Sequence, residues 1–158
     1  RGILGNVLEA KIRLTQSERD VLYDAKINPI ATFPQTGVCI WGQKTLQERA
    51  TALDRINVRR LLITLKKFIA SSSKYLVFEQ NTIQTRNRFL NIANPYLESI
   101  QQRQGLYAFR VVMDETNNTP DEIDRNRLIG AIYLQPAKTA EFIILDFNIL
   151  PTGATFDQ

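Results

Sequence analysis

The stretch "DETNNTPDEID", residues 114–124, packs five carboxylates and two adjacent asparagines into eleven residues. Such a run could bind calcium, or supply paired catalytic acids. A calcium loop needs oxygen ligands at alternate positions, a glycine at the sharp turn and a bidentate glutamate at the twelfth. Asp114, Thr116 and Asn118 give the alternation, but Thr119 stands where glycine is needed and Arg125 takes the twelfth position. As catalytic acids, Asp114 with Glu115 or Asp121 with Glu122 would need unlike burial to separate their pKa values. Neighbours in sequence rarely converge on one substrate. A simpler grammar fits: Asn117 and Asn118 suit a turn, Thr119 caps a helix, Pro120 takes its first position, and Asp121 and Glu122 face its positive end.

Other chemistry is scarce. The sequence contains no histidine, which removes Ser-His-Asp and Cys-His catalysis and most zinc sites. Cys39, the only cysteine, lies in the apolar run "GVCIW" and reads as a small buried residue. Neither a "GxxxxGK[ST]" nor a "GxGxxG" phosphate loop occurs. No cofactor is therefore expected. The net charge of +4 favours acidic partners, but it is modest and spread along the chain. Trp41 sits in an apolar run rather than on a stacking platform, so direct nucleic-acid binding is not expected. No apolar run approaches the roughly 18–20 residues that span a bilayer, so membrane insertion is not expected either.

The elements around these residues follow from periodicity. "VLEAKIRL", residues 7–14, alternates, with Leu8, Ala10, Ile12 and Leu14 on one face, and predicts a half-buried strand. A short helix follows, capped by Thr15 or Ser17 and stopped by Pro29, with Val21 and Leu22 as its apolar face. "ATFPQTG" reads as a loop and Gly37 opens a buried strand. In "INVRRLLITLKKFIASSS", Val58, Leu61, Leu62, Leu65, Phe68 and Ile69 gather on one helical face. Arg59, Arg60, Lys66 and Lys67 gather opposite, with Ile63 among them. "NTIQTRNRFLNIANPYLESIQQRQG" predicts a second long helix, capped by Asn81 or Thr82 and stopped by Gly105, with a kink or restart at Pro95. Strands are predicted at "YAFRVVM", at "RLIGAIYLQP" and at "AEFIILDFNIL". The last carries Ile143, Leu145, Phe147 and Ile149 on one face, and the last two form a hairpin. The fold class is α+β: a mixed or antiparallel sheet of about four strands against two or three helices, with strand arms at the ends.

In order along the chain, "VLYDAKINPI", "FPQTGVCIWGQKTL", "ALDRINVRRLL", "KYLVFE", "DETNNTPDEIDRNRL", "QPAKTAEFIILDF" and "LPTGATF" resemble the C-terminal part of contractile tail sheath proteins, especially those of T-even-like bacteriophages. The resemblance covers roughly residues 17–156, and the leading "RG" matches the end of the family's "NRG". Residues 1–16 then read as an N-terminal strand or arm, 17–150 as the sheath C-terminal domain and 151–158 as a tail. The sequence reads as a fragment of a longer chain.

The resemblance implies a structural protein. Its subunits would stack in six-fold rings around a tail tube and contract to drive the tube through the host envelope. Implied partners are other sheath subunits, the tail tube protein, and baseplate and terminator proteins. The implied location is the virion tail, assembled in the host bacterial cytoplasm. A phage-derived contractile injection system is the alternative, with a basic nucleic-acid module behind it. Under this reading the strands carrying Leu8, Ala10, Ile12, Leu14, Ile143, Leu145, Phe147 and Ile149 would add to neighbouring subunits. Arg59, Arg60, Lys66, Lys67, Arg86, Arg88 and Arg103 would meet the tube or a neighbour. Asp114, Glu115, Asp121 and Glu122 would form inter-subunit ion pairs or serve only the turn.

Overall fold

The computed structural model describes residues 2–141 together with 144 and 145. In chain order these form β1 (Gly2–Ile3), α1 (Gln16–Asp24), β2 (Ile30–Phe33), β3 (Gly37–Ile40), α2 (Ile56–Ser73), a 3-10 turn (Lys74–Leu76), α3 (Ile83–Gln102), β4 (Leu106–Val112), α4 (Pro120–Asp124) and β5 (Ala131–Pro136). The fold is α+β. Its strands divide between two antiparallel sheets, β1-β3-β2 and β4-β5, rather than one sheet of about four strands.

The first sheet rests on a hairpin that sequence periodicity misses. β2 is only four residues long, and Pro34 just after it reads as a loop signal. The connection works because Gln35 and Gly37 take positive φ, while the Thr36 N–H donates to the Phe33 carbonyl at 3.3 Å. The register sets Ala31 opposite Cys39, and both are buried. The segment 7–14, predicted as a strand, is not one: it has no ladder partner among the described residues, and a strand exists only where its N–H and C=O groups pair. Only β1, at the chain's start, joins the sheet, along β3.

The helices follow their sequence signals closely, with corrections at the ends. Thr15 makes a capping box on α1: its hydroxyl accepts from the Glu18 N–H at 3.4 Å, and Glu18 accepts from the Thr15 N–H at 2.7 Å. The helix ends at Asp24, before Pro29. Lys26 turns left-handed, and the Ile27 N–H closes back on the Leu22 carbonyl at 2.9 Å. α1 has no buried residue, and Val21 is exposed, so its apolar face is unfilled. Thr82 caps α3 by accepting from the Thr85 N–H. α3 runs through Pro95 as one element, with no restart at Asn94. Pro95 leaves the Asn91 carbonyl without its helical donor, which is cheap because both residues are exposed. At the far end Gln104, not Gly105, takes the left-handed conformation. Gly105 is needed for another reason: a Cβ there would stand 2.8 Å from Ile100 Cγ2.

α2 lays Val58 and Leu65 inward, with Leu61, Leu62, Phe68 and Ile69 half-buried beside them. With α3 and the second sheet it closes two apolar clusters. One holds Leu65, Leu97, Ile100 and Leu106; the other holds Leu76, Phe89, Ala93 and Met113. Val111 and Ile132, on facing strands, pack against both clusters. Burying each large side chain contributes about 1.5–3 kcal/mol, so these clusters are the main source of stability. β5 begins at Ala131, later than the predicted start at Arg127, because residues 127–130 run past the polar turn below.

Candidate functional site

Both sheets end on open edges. β4 and β5 have only each other as partners among the described residues, so the outer edge of each presents unpaired N–H and C=O groups. β2 is likewise an edge of the first sheet. The arm 7–14 lies beside this architecture without joining it. Leu8 is 99% exposed and Ile12 66% exposed, while Ala10 and Leu14 are half-buried. Of the predicted C-terminal strand, Ile143, Phe147 and Ile149 lie outside the described residues. Leu145 is exposed and in no strand, as is Ile144. The tail 151–158 also lies outside them.

The acidic stretch is a turn, built largely as its grammar suggests. The Asp114 carboxylate accepts from both the backbone N–H and the hydroxyl of Thr116, which holds its pKa below the ordinary range. Pro120 opens α4, and Asp121 and Glu122 occupy its first turn. Thr119 precedes the helix, but its side chain makes no capping bond. Asp114, Glu115 and Asp121 are exposed. Glu122 is half-buried and paired within the chain, 3.5 Å from Arg127 and 4.0 Å from Arg125. Among the described residues, no three thiol or carboxylate groups converge as a metal site would require.

The residue that organises this turn is Asn118, which the sequence suggested only as turn-tolerant. It is 2% exposed. Its amide donates to the carbonyls of Asp114 at 3.0 Å and Ile129 at 2.9 Å, and its oxygen accepts from the Ile129 N–H at 2.8 Å. Asn81 at the foot of α3 donates to the same oxygen at 3.2 Å. A side chain with two donors and two acceptor lone pairs thus closes a turn that no backbone ladder holds.

The basic candidates divide. Arg59, Arg60, Lys66 and Lys67 are exposed along the outer face of α2, with Ile63 also exposed among them. Arg88 is exposed and 3.5 Å from Glu79; Arg103 is exposed and donates to the Ser99 carbonyl at 3.2 Å. Arg86 departs from the expected surface position. It is only 6% exposed, with Nε donating to Asn81 Oδ1 at 2.8 Å. The reason is its place on α3, one turn before the core residue Phe89, which turns its stem inward against the body.

A second cluster has no counterpart in the sequence reading. Glu141 accepts hydrogen bonds from Arg55 Nε at 2.5 Å and NH2 at 3.2 Å, from the Tyr23 hydroxyl at 2.8 Å and from Gln43 Nε2 at 3.3 Å. Burial pushes the Tyr23 hydroxyl up to about 12, helped by the carboxylate beside it. Burial alone would raise Glu141, but the hydrogen bonds from Arg55 and Tyr23 outweigh it and hold the carboxyl below its usual range. The hydrogen bond to Glu141 in turn raises Arg55. The cluster borders a hollow of about 730 Å³ lined by Phe33, Trp41 and Tyr23 among others. Glu141 lies 118 residues from Tyr23 and 86 from Arg55, so no local pattern could have signalled it.

Comparison with known proteins agrees with this architecture. The model of the phage tail sheath C-terminal domain matches residues 48–150. Over all 158 residues the chain is 44% identical to the tail sheath protein of Vibrio phage KVP40 and 42% identical to that of Enterobacteria phage T4. It spans 24% of the length of each of these relatives. Among solved structures, the sheath complex of the extracellular contractile injection system PVC, in its contracted state, is similar at 29% identity and a TM-score of 0.82, over 89% of this chain and 42% of that one. The contracted helical sheath of the anti-feeding prophage is similar at 27% identity and a TM-score of 0.81, over 92% of this chain and 43% of that one. The match over residues 48–150, more than half of the chain, places the chain in the phage tail sheath C-terminal domain family.

Proposed function

We propose that this chain is the C-terminal domain of a contractile tail sheath subunit. In the whole protein it would join copies of itself into six-fold rings around a tail tube, within the virion tail. Contraction of that sheath would drive the tube through the host envelope. The observation that carries this reading is the likeness to contracted sheaths over about nine-tenths of the chain. Phage tails are preferred over injection systems because the identities to phage sheaths are higher. The role is structural rather than enzymatic. The energy of such a machine resides in subunit contacts that differ between two packings, and no bound fuel is required.

The open edges and the exposed arm suit strand addition. A monomer must cover or blunt such edges, whereas an assembly uses them as joints. The exposed cations of α2 suit an acidic tube or neighbour, where single pairs worth about 0–1 kcal/mol could hold and still release. Baseplate and terminator proteins would complete the ends. Electron microscopy of the full-length protein tests the reading. Hollow tubes or sheathed tails are expected; a monodisperse monomer that never associates with tail tubes would overturn it.

A further inference from the structure

The run from Lys138 to Leu145 is exposed at every described position except one. Lys138, Thr139 and Ala140 face solvent, as do Ile144 and Leu145, but the Glu141 side chain is 15% exposed. Its carboxylate has about four lone-pair sites, and four donors reach them. Oε1 takes Arg55 Nε and Gln43 Nε2, and Oε2 takes Arg55 NH2 and the Tyr23 hydroxyl. The planar guanidinium fork adds direction as well as attraction. These donors come from α1, from the segment after β3 and from the residue before α2, and they are themselves tied together. The Ile56 N–H donates to the Gln43 carbonyl at 2.8 Å, Lys44 bridges Arg55, and the Lys44 N–H donates to Asn28 at 2.8 Å. Gln43 also donates to the Thr139 hydroxyl. A fixed, charged socket thus grips one residue at the root of the C-terminal segment.

We infer that Glu141 is a clasp: held by Tyr23, Gln43 and Arg55, it ties the chain that follows β5 to α1 and to the start of α2, so that the strand addition expected of the C-terminal residues starts from a fixed point. The inference rests on the sheath reading above and adds a positioning residue to it. Glu141 is suited to positioning because the body does not depend on it. It lies outside both apolar clusters, and Arg55 keeps a second carboxylate, Asp54, at 3.1 Å. Loss of the clasp would therefore free the root of the segment while leaving the body folded.

The test uses the full-length protein with Glu141→Gln, and with Tyr23→Phe as a milder change that keeps the ion pair. Trypsin needs several residues on each side of its cut in extended form, so a clasped Glu141 and a tied Thr139 shield the bond after Lys138. Cleavage there follows the population of the released state. Losing the charge that strengthens all four bonds should speed it at least roughly tenfold in Glu141→Gln, and losing the single Tyr23 bond to the carboxylate roughly threefold to tenfold in Tyr23→Phe. Both variants should still unfold in one cooperative transition, at a lower midpoint in Glu141→Gln, and remain folded at the temperature of the cleavage assay. Sheathed tails seen by electron microscopy should become few with Glu141→Gln. Wild-type cleavage rates in Glu141→Gln, or wild-type numbers of sheathed tails, would overturn the clasp. If instead the unmutated protein never forms a sheath, the functional reading fails, and the cleavage rates still decide whether the clasp exists.

Discussion

The two halves of the chain bury their apolar residues to different extents, although Tyr75, Phe78, Ile83, Tyr107 and Tyr133 are exposed in the second half too. Between α2 and β5, Leu97 and Ala93 are wholly buried, and Leu65, Phe89, Ile100 and Leu106 nearly so. Before α2, Ile3, Leu8, Ile12, Val21, Ile30, Ile40 and Trp41 are all exposed, and no residue of α1 is fully buried. In the first half the described burial rests largely on the Ala31–Cys39 contact and Val38 within the small sheet. The difference teaches where the described burial that holds the fold together is concentrated: in the two clusters of the second half.

The comparison can be broken most forcefully in the body. Leu97→Ala should cost about 2–5 kcal/mol, because α3 cannot collapse into the space left between α2 and β4. Urea unfolding measures it, and a loss under 1 kcal/mol would mean the body is looser than described. Asn118→Ala should cost about 1–3 kcal/mol, since it leaves the half-buried carbonyl and N–H of Ile129 without partners, whereas the Asp114 carbonyl keeps the backbone N–H of residue 118.

The junction between the halves is best probed by pH. Tyr23 has a raised pKa in the folded state, so its contribution is complete below about 10 and is lost as pH rises towards about 12. Glu141 has a lowered pKa, so its contribution is present above the ordinary carboxyl value and fades as pH falls through the folded value. Melting temperatures across pH should decline at both ends, and Glu141→Gln should flatten the acid limb and part of the alkaline one. An unchanged profile in that variant would show that the cluster does not form in solution.

At exposed side chains of either half the expected stability effects are smallest. Leu8→Ser with Ile12→Ser should change stability by no more than about 0.5 kcal/mol, because neither residue is covered. The same pair should sharply reduce sheath tubes from the full-length protein. Reversing the charge of Arg59, Arg60, Lys66 and Lys67 should likewise leave the melting curve close to wild type. It should weaken tail-tube attachment in a salt-dependent way, which sedimentation with tubes at rising ionic strength measures.

Much of the body was legible because its signals are local. α2 was readable from the spacing of Val58, Leu61, Leu62, Leu65, Phe68 and Ile69. α3 was readable from its stripe and from Thr82, and α4 from Pro120. β2 escaped because four residues beside a proline give too little period to read. Gln104 escaped because glycine is the better guess for a left-handed stop, whereas here Gly105 answers to the close approach of Ile100. The arm was readable as a pattern but not as a structure: alternation shows that residues 7–14 could pair, and pairing needs a partner.

The sequence by itself determined the long helices, the Thr15 and Thr82 caps, the acidic turn and membership of the sheath family, because each depends on residues within a turn or two or on blocks in fixed order. Tertiary structure alone decided that Arg86 turns inward, that Asn118 closes its turn against Ile129, and that Glu141 is held by Tyr23, Gln43 and Arg55. The physical reason is that a polar side chain's role depends on which donors and acceptors reach it. When those lie up to 118 residues away in the chain, only folding brings them together.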